Sequence, residues 1–143
     1  MKTRQMKTIG RLIEMKRRAA EVAEMAHASA HAKTVAAENA RLEADRRLQA
    51  GLDAVDDIGL ASDLEDRDMK IRGLRRSVEQ TERQFVIARA EESGAREAMT
   101  DARVELRRFE TWLEKTEAER AAELQRVARI ADDEVAARKL RAG

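Results

Sequence analysis

Between Ile71 and Leu113, apolar side chains recur in alternating steps of three and four. The positions are Ile71, Leu74, Val78, Thr81, Phe85, Ala88, Glu92, Ala95, Met99, Ala102, Leu106, Phe109 and Leu113, and only Thr81 and Glu92 are polar. A 3.5-residue repeat held over this length predicts one long helix with a coiled-coil seam. An earlier stretch follows the same step more weakly: Ile9, Ile13, Lys16, Ala20, Ala23, His27, Ala30, Thr34, Ala37, Arg41, Ala44, Leu48 and Gly51. Five of its eight apolar residues are Ala, so it offers a thin, closely approachable face.

The two stripes are separated by a break. The chain has no Pro, so Gly must do the punctuation. Gly51 and Gly59 bracket Leu-Asp-Ala-Val-Asp-Asp-Ile, and Ser62-Asp-Leu-Glu65 follows with the spacing of a capping box. The pattern predicts a first helix over about 2–57, a turn over about 58–62 and a second helix over about 63–141. A single unbroken helix is the alternative. If the chain folds back near Ala61, residue i faces residue 122 − i and the stripes coincide. Ile9 then meets Leu113, Ile13 meets Phe109, Ala37 meets Phe85, Leu48 meets Leu74 and Gly51 meets Ile71. Small residues face large ones, as close helix packing requires. The expected fold is all-α: an antiparallel two-helix coiled-coil hairpin with a longer second helix, one domain over 1–143, without a globular core.

The arms of such a hairpin are unequal, on the order of 80 Å against 120 Å at ~1.5 Å per residue. Residues after about Glu119 are expected to lack a partner from the first helix, yet Leu124, Val127, Ile130 and Ala131 continue an apolar stripe. That face fits a partner chain, or self-association of the tail. Charge is placed unevenly too. Residues 1–18 hold seven Lys/Arg against Glu14 alone, and residues 52–68 hold seven acids against Arg67 alone. The hairpin should therefore have a basic N-terminal end and an acidic tip, a dipole that a charged partner can orient.

Composition narrows the chemistry. The 143 residues carry 29 Lys+Arg and 28 Asp+Glu, no Cys, and only 2% aromatics. Disulfides and thiolate metal sites are excluded, no run suits a membrane span, and no apolar segment follows the basic Met1–Arg18 as in a signal peptide. The expected location is the cytoplasm. Glycines never cluster into a phosphate-binding loop. His27 and His31 stand one turn apart, a spacing a metal can use, but no further ligand accompanies them. The more economical reading makes His27 a seam residue that pairs with Glu92, with Lys16 and Arg41 as further polar positions that set register. A near-neutral charge and scarce aromatics argue against nucleic acid. Binding of Met1–Arg18 to a membrane surface would rest on Met6, Ile9, Leu12, Ile13 and Met15 alone. No active site or cofactor site is evident, so the chain reads as no enzyme.

Two stretches carry a family resemblance. Arg103-Val-Glu-Leu-Arg-Arg-Phe-Glu-Thr-Trp112-Leu-Glu-Lys-Thr-Glu-Ala-Glu-Arg120 resembles the single Trp in a charged helix of the FliJ/YscO family, and Ala131-Asp-Asp-Glu134-Val-Ala-Ala-Arg138 is similar to that family's acidic pair and trailing basic residues. This family provides the central stalk of flagellar and type III secretion export ATPases. The resemblance implies a non-enzymatic coupling protein, monomeric when free. Its partners would be a hexameric export ATPase, the cytoplasmic part of the membrane export gate, and export chaperones. It would lie peripheral to the inner membrane at the export apparatus. By position the resemblance implies contacts at Lys7, Arg11, Trp112, Arg120, Val127, Ile130, Arg138 and Arg141. The flagellar and injectisome branches both remain open, and a generic structural or scaffold coiled coil is the rival reading.

Overall fold

The computed structural model of the chain describes the backbone of residues 2–54 and 61–142, and the side chains of 4–54 and 64–142. It is a two-helix hairpin: α1 spans Lys2–Asp53 and the longer α2 spans Ala61–Ala142. Of the expected turn over 58–62, residues 58–60 lie outside the described residues and 61–62 already belong to α2; α1 ends at Asp53, and residues 55–57 of the expected first helix also lie outside the described residues. α2 starts two residues before the expected Asp63, so Ser62 lies in its first turn rather than ahead of it. Ala61 is the strongest of helix formers and readily extends a helix by a residue or two at its end. The Ser62 side chain is outside the described residues.

The described residues pack as two compact units, each taking a length of both helices. One comprises Met1–Glu21 with Asp101–Gly143, and the other Val22–Thr100. In the first, Ile9 and Ile13 of α1 are buried, at 1% and 6% exposure, with Ala20 beside them. In the second, the buried positions are Thr34, Ala44 and Ala88. Every residue of the two heptad stripes, from Ile9 to Gly51 and from Ile71 to Leu113, is buried or half-buried. The intervening residues are mostly exposed, and nearly half of them are charged. Several of them pair along one helix, as Arg47 does with Glu43 at 3.2 Å and Arg72 with Asp68 at 2.9 Å. Such exposed pairs add only ~0.3–0.5 kcal/mol each, so hydrophobic burial along the seam carries the fold.

The pairing is antiparallel and close to the expected register. The Thr34 hydroxyl lies 3.2 Å from the Ala88 carbonyl, its expected partner, and 3.0 Å from that of Ala30. Arg41, Gly51 and Lys16 instead meet Phe85, Leu74 and Phe109. Each of these lies one seam step beyond the expected Thr81, Ile71 and Leu106. Knobs-into-holes packing explains both outcomes, because a side chain seats between two successive residues of the facing stripe.

One expected pairing is corrected. Glu92 is engaged by His31, not His27: His31 Nδ1 lies 2.6 Å from Glu92 Oε1. His31 stands beside the seam, where its ring reaches across to a carboxylate only 14% exposed. His27 points into the seam, and its Nε2 is enclosed without a hydrogen-bond partner.

Candidate partner-binding surface

The eight residues singled out by the family resemblance all belong to the unit formed by 1–21 and 101–143. Lys7 and Arg11 are exposed on α1. The basic N-terminal segment is partly neutralised within α1, since Arg17 and Arg18 both reach Glu14 at 3.4 Å. Lys16 is half-buried, with its amine 3.6 Å from Glu105 and 5.4 Å from the centre of the Phe109 ring. That ring is also the neighbour of Trp112: the centroids are 5.9 Å apart and the planes tilted by 58°. Trp112 is 43% exposed, so a large aromatic face is held in place while one side stays open.

Beside Trp112 lies a recess lined by Gln5, Met6, Thr116, Glu119 and Arg120. Arg120 is half-buried there, and its Nη1 lies 3.2 Å from Met6 Sδ. The contact corrects the expectation that α2 has no partner from α1 after about Glu119. The seam runs on to Arg120, because Met6 extends the α1 stripe by one more step. The three-residue step from Met6 to Ile9 carries the seam spacing back to Met6.

Beyond Glu123 the character of α2 changes. From Leu124 to Ala142 every residue is exposed. Val127 and Ile130 stand at 52% and 48% exposure, and Leu124, Val135 and Leu140 are similarly open. Val135 and Leu140 lie outside the stripe expected from the sequence, and Val135 falls four residues after Ala131, on the same face of the helix. Arg138 and Arg141 are exposed near the end of α2. At the start of this stretch Arg126 clasps Glu123 with two bonds, 2.7 and 3.2 Å, which raises the guanidinium above its ordinary range. The result is a helical stretch with an apolar stripe, flanking guanidiniums and an anchored base. Such a face can bury against an apolar groove with an acidic rim.

Among the described residues no group of three or more His, Asp or Glu is placed to hold a metal ion. Among the described residues no helix is long and apolar enough to cross a membrane. No protein-family model matches the chain, and no curated protein or solved structure does either.

Proposed function

We propose that this chain is a non-enzymatic stalk protein of a type III export apparatus, flagellar or injectisome. It engages a hexameric export ATPase and links it to the cytoplasmic part of the export gate, with export chaperones as further partners. The observation that carries the reading is the stretch of α2 after Glu123. It is helical, it keeps an apolar stripe, and from Leu124 to Ala142 its residues are all exposed. The resemblance of 103–120 and 131–138 to the FliJ/YscO family names the occupant. An isolated helix of this length is marginal in water, and burial of Leu124, Val127 and Ile130 in a partner would favour the bound form by ~1 kcal/mol or more per side chain.

In this reading Lys7, Arg11, Arg120, Arg138 and Arg141 supply charge toward acidic loops of the ring, and Trp112 supplies an aromatic anchor. ATP chemistry belongs to the partner. The stalk's part is mechanical, with the charged residues outside the seam keeping much of the helix surface hydrated.

The test is to titrate the purified chain into the hexameric export ATPase of the same organism. Turnover should rise, and Val127→Glu with Ile130→Glu should remove the rise. Unchanged turnover with the unaltered chain would sink the proposal. Sedimentation velocity separates the rival: a free monomer fits a stalk, and a stable homodimer fits a scaffold coiled coil.

A further inference from the structure

α1 carries a second heptad row. In the same steps of three and four, Met25, Ala28, Ala32, Val35, Asn39 and Leu42 recur. Each stands two positions before a seam residue, as Val35 precedes Ala37 and Leu42 precedes Ala44. Two residues turn a helix by about 200°, so the row lies on the side of α1 away from α2. All six are exposed, with Met25 at 73%, Val35 at 43% and Leu42 at 41%. The row falls within the 22–100 unit, whereas Trp112 and the stretch after Glu123 belong to the other. A helix with one neighbour needs one apolar face, and its far side is ordinarily polar. Here the far side repeats the heptad, and its one polar residue, Asn39, takes an a position, where coiled coils use Asn to set register.

The edges of the row state what fits it. Glu24, Glu38 and Asp45 recur along one edge, and Glu43 stands on the other. Glu43 is shared with Arg46 and Arg47 of α1, at 3.7 and 3.2 Å. The remaining member of the first edge, His31, is already bound to Glu92. A second copy of the chain is a poor occupant. Parallel pairing would set Glu38 against Glu43, and antiparallel pairing would set the acidic edge against itself, both with like-charge repulsion. We infer that the outer face of α1 from Met25 to Leu42 is a coiled-coil docking seam for an amphipathic helix of another protein, one with Lys or Arg at its flanking positions. The inference stands whether or not the end of α2 engages an ATPase.

Two synthetic helices of roughly three heptads test it. Both carry Ile and Leu at the core positions and one Asn; one has Lys and Arg on its edges, the other Glu. Each is titrated into the full chain by calorimetry. The basic probe should bind at least about tenfold tighter than its acidic twin, and Val35→Glu with Leu42→Glu should weaken it by about tenfold or more. Circular dichroism should show unchanged helicity in that variant, since both residues are exposed. The variant adds two negative charges, so attraction by charge alone would strengthen binding of the basic probe. Equal binding of the two probes, or undiminished binding by the variant, would overturn the inference. So would a dimer of the full chain that the same variant dissociates, because the seam would then hold a second copy.

Discussion

His31 and Glu92 join the two helices through a 2.6 Å contact between Nδ1 and Oε1, at a point where the heptad row of α2 is interrupted by a carboxylate. The His31 ring, and after it the Thr34 hydroxyl, hold Glu92 below the ordinary carboxylate range, although burial pushes the other way. A carboxylate with a lowered folded-state value stabilises the fold above its unfolded value and loses that contribution as pH falls through the folded one. The hairpin should therefore weaken on acidification through and below the ordinary carboxylate range. Glu92→Gln should flatten that part of the stability curve, measured by urea unfolding across pH. An equally steep acid limb in the variant would show that other groups carry it.

Glycine positions separate helix propensity from packing. A methyl group at Gly73 or Gly94 would meet nothing within 4 Å, whereas at Gly51 it would lie 2.7 Å from Leu74 Cδ1. Gly73→Ala and Gly94→Ala should each stabilise the helix by about 1 kcal/mol. Gly51→Ala should gain less, because Leu74 must change rotamer to admit it. Denaturation midpoints of the three variants check the order.

Ile9 is the most enclosed large side chain of its unit, at 1% exposure, while Leu140 is 84% exposed. Ile9→Ala should cost about 2–4 kcal/mol through lost burial and the cavity left behind. Leu140→Ala should change stability by less than about 0.5 kcal/mol. Similar effects at the two sites would mean that the end of α2 is covered in the free protein.

The same contrast protects the functional test. Val127 and Ile130 are exposed, so Val127→Glu with Ile130→Glu should leave the stability of the free chain within about 0.5 kcal/mol of the parent. Loss of ATPase stimulation in a variant with unchanged melting would locate the defect at the partner.

Arg41 sits over the Phe85 ring at 4.4 Å, and its Nε is enclosed without a hydrogen-bond partner. The cation–π contact is worth about 0.5–2 kcal/mol, but an unsatisfied buried donor costs a similar amount. Arg41→Met should be neutral or stabilising in thermal melts. A clear loss would assign Arg41 a stronger hold on the seam than these two effects allow.

Periodicity, together with the glycines and the capping-box spacing at the break, determined the two helices, the identity of both inward stripes and their antiparallel sense. Side-chain rows at 3.5-residue spacing can be buried in few ways, and small residues opposite large ones leave little choice of register. Tertiary structure decided the rest. Whether a side chain meets the residue opposite or the next one along depends on how knobs seat in holes, and sequence spacing does not resolve that half-step. His31 rather than His27 meets Glu92 because a ring beside the seam can reach across it, a matter of side-chain direction and not of position in the repeat. The contact of Arg120 with Met6 and the exposure of Leu124 to Ala142 likewise depend on which side chains the folded helices bring together. The eight residues suggested by the family resemblance share one unit for the same geometric reason: folding the chain back brings the start of α1 beside the later part of α2, a proximity that linear order conceals.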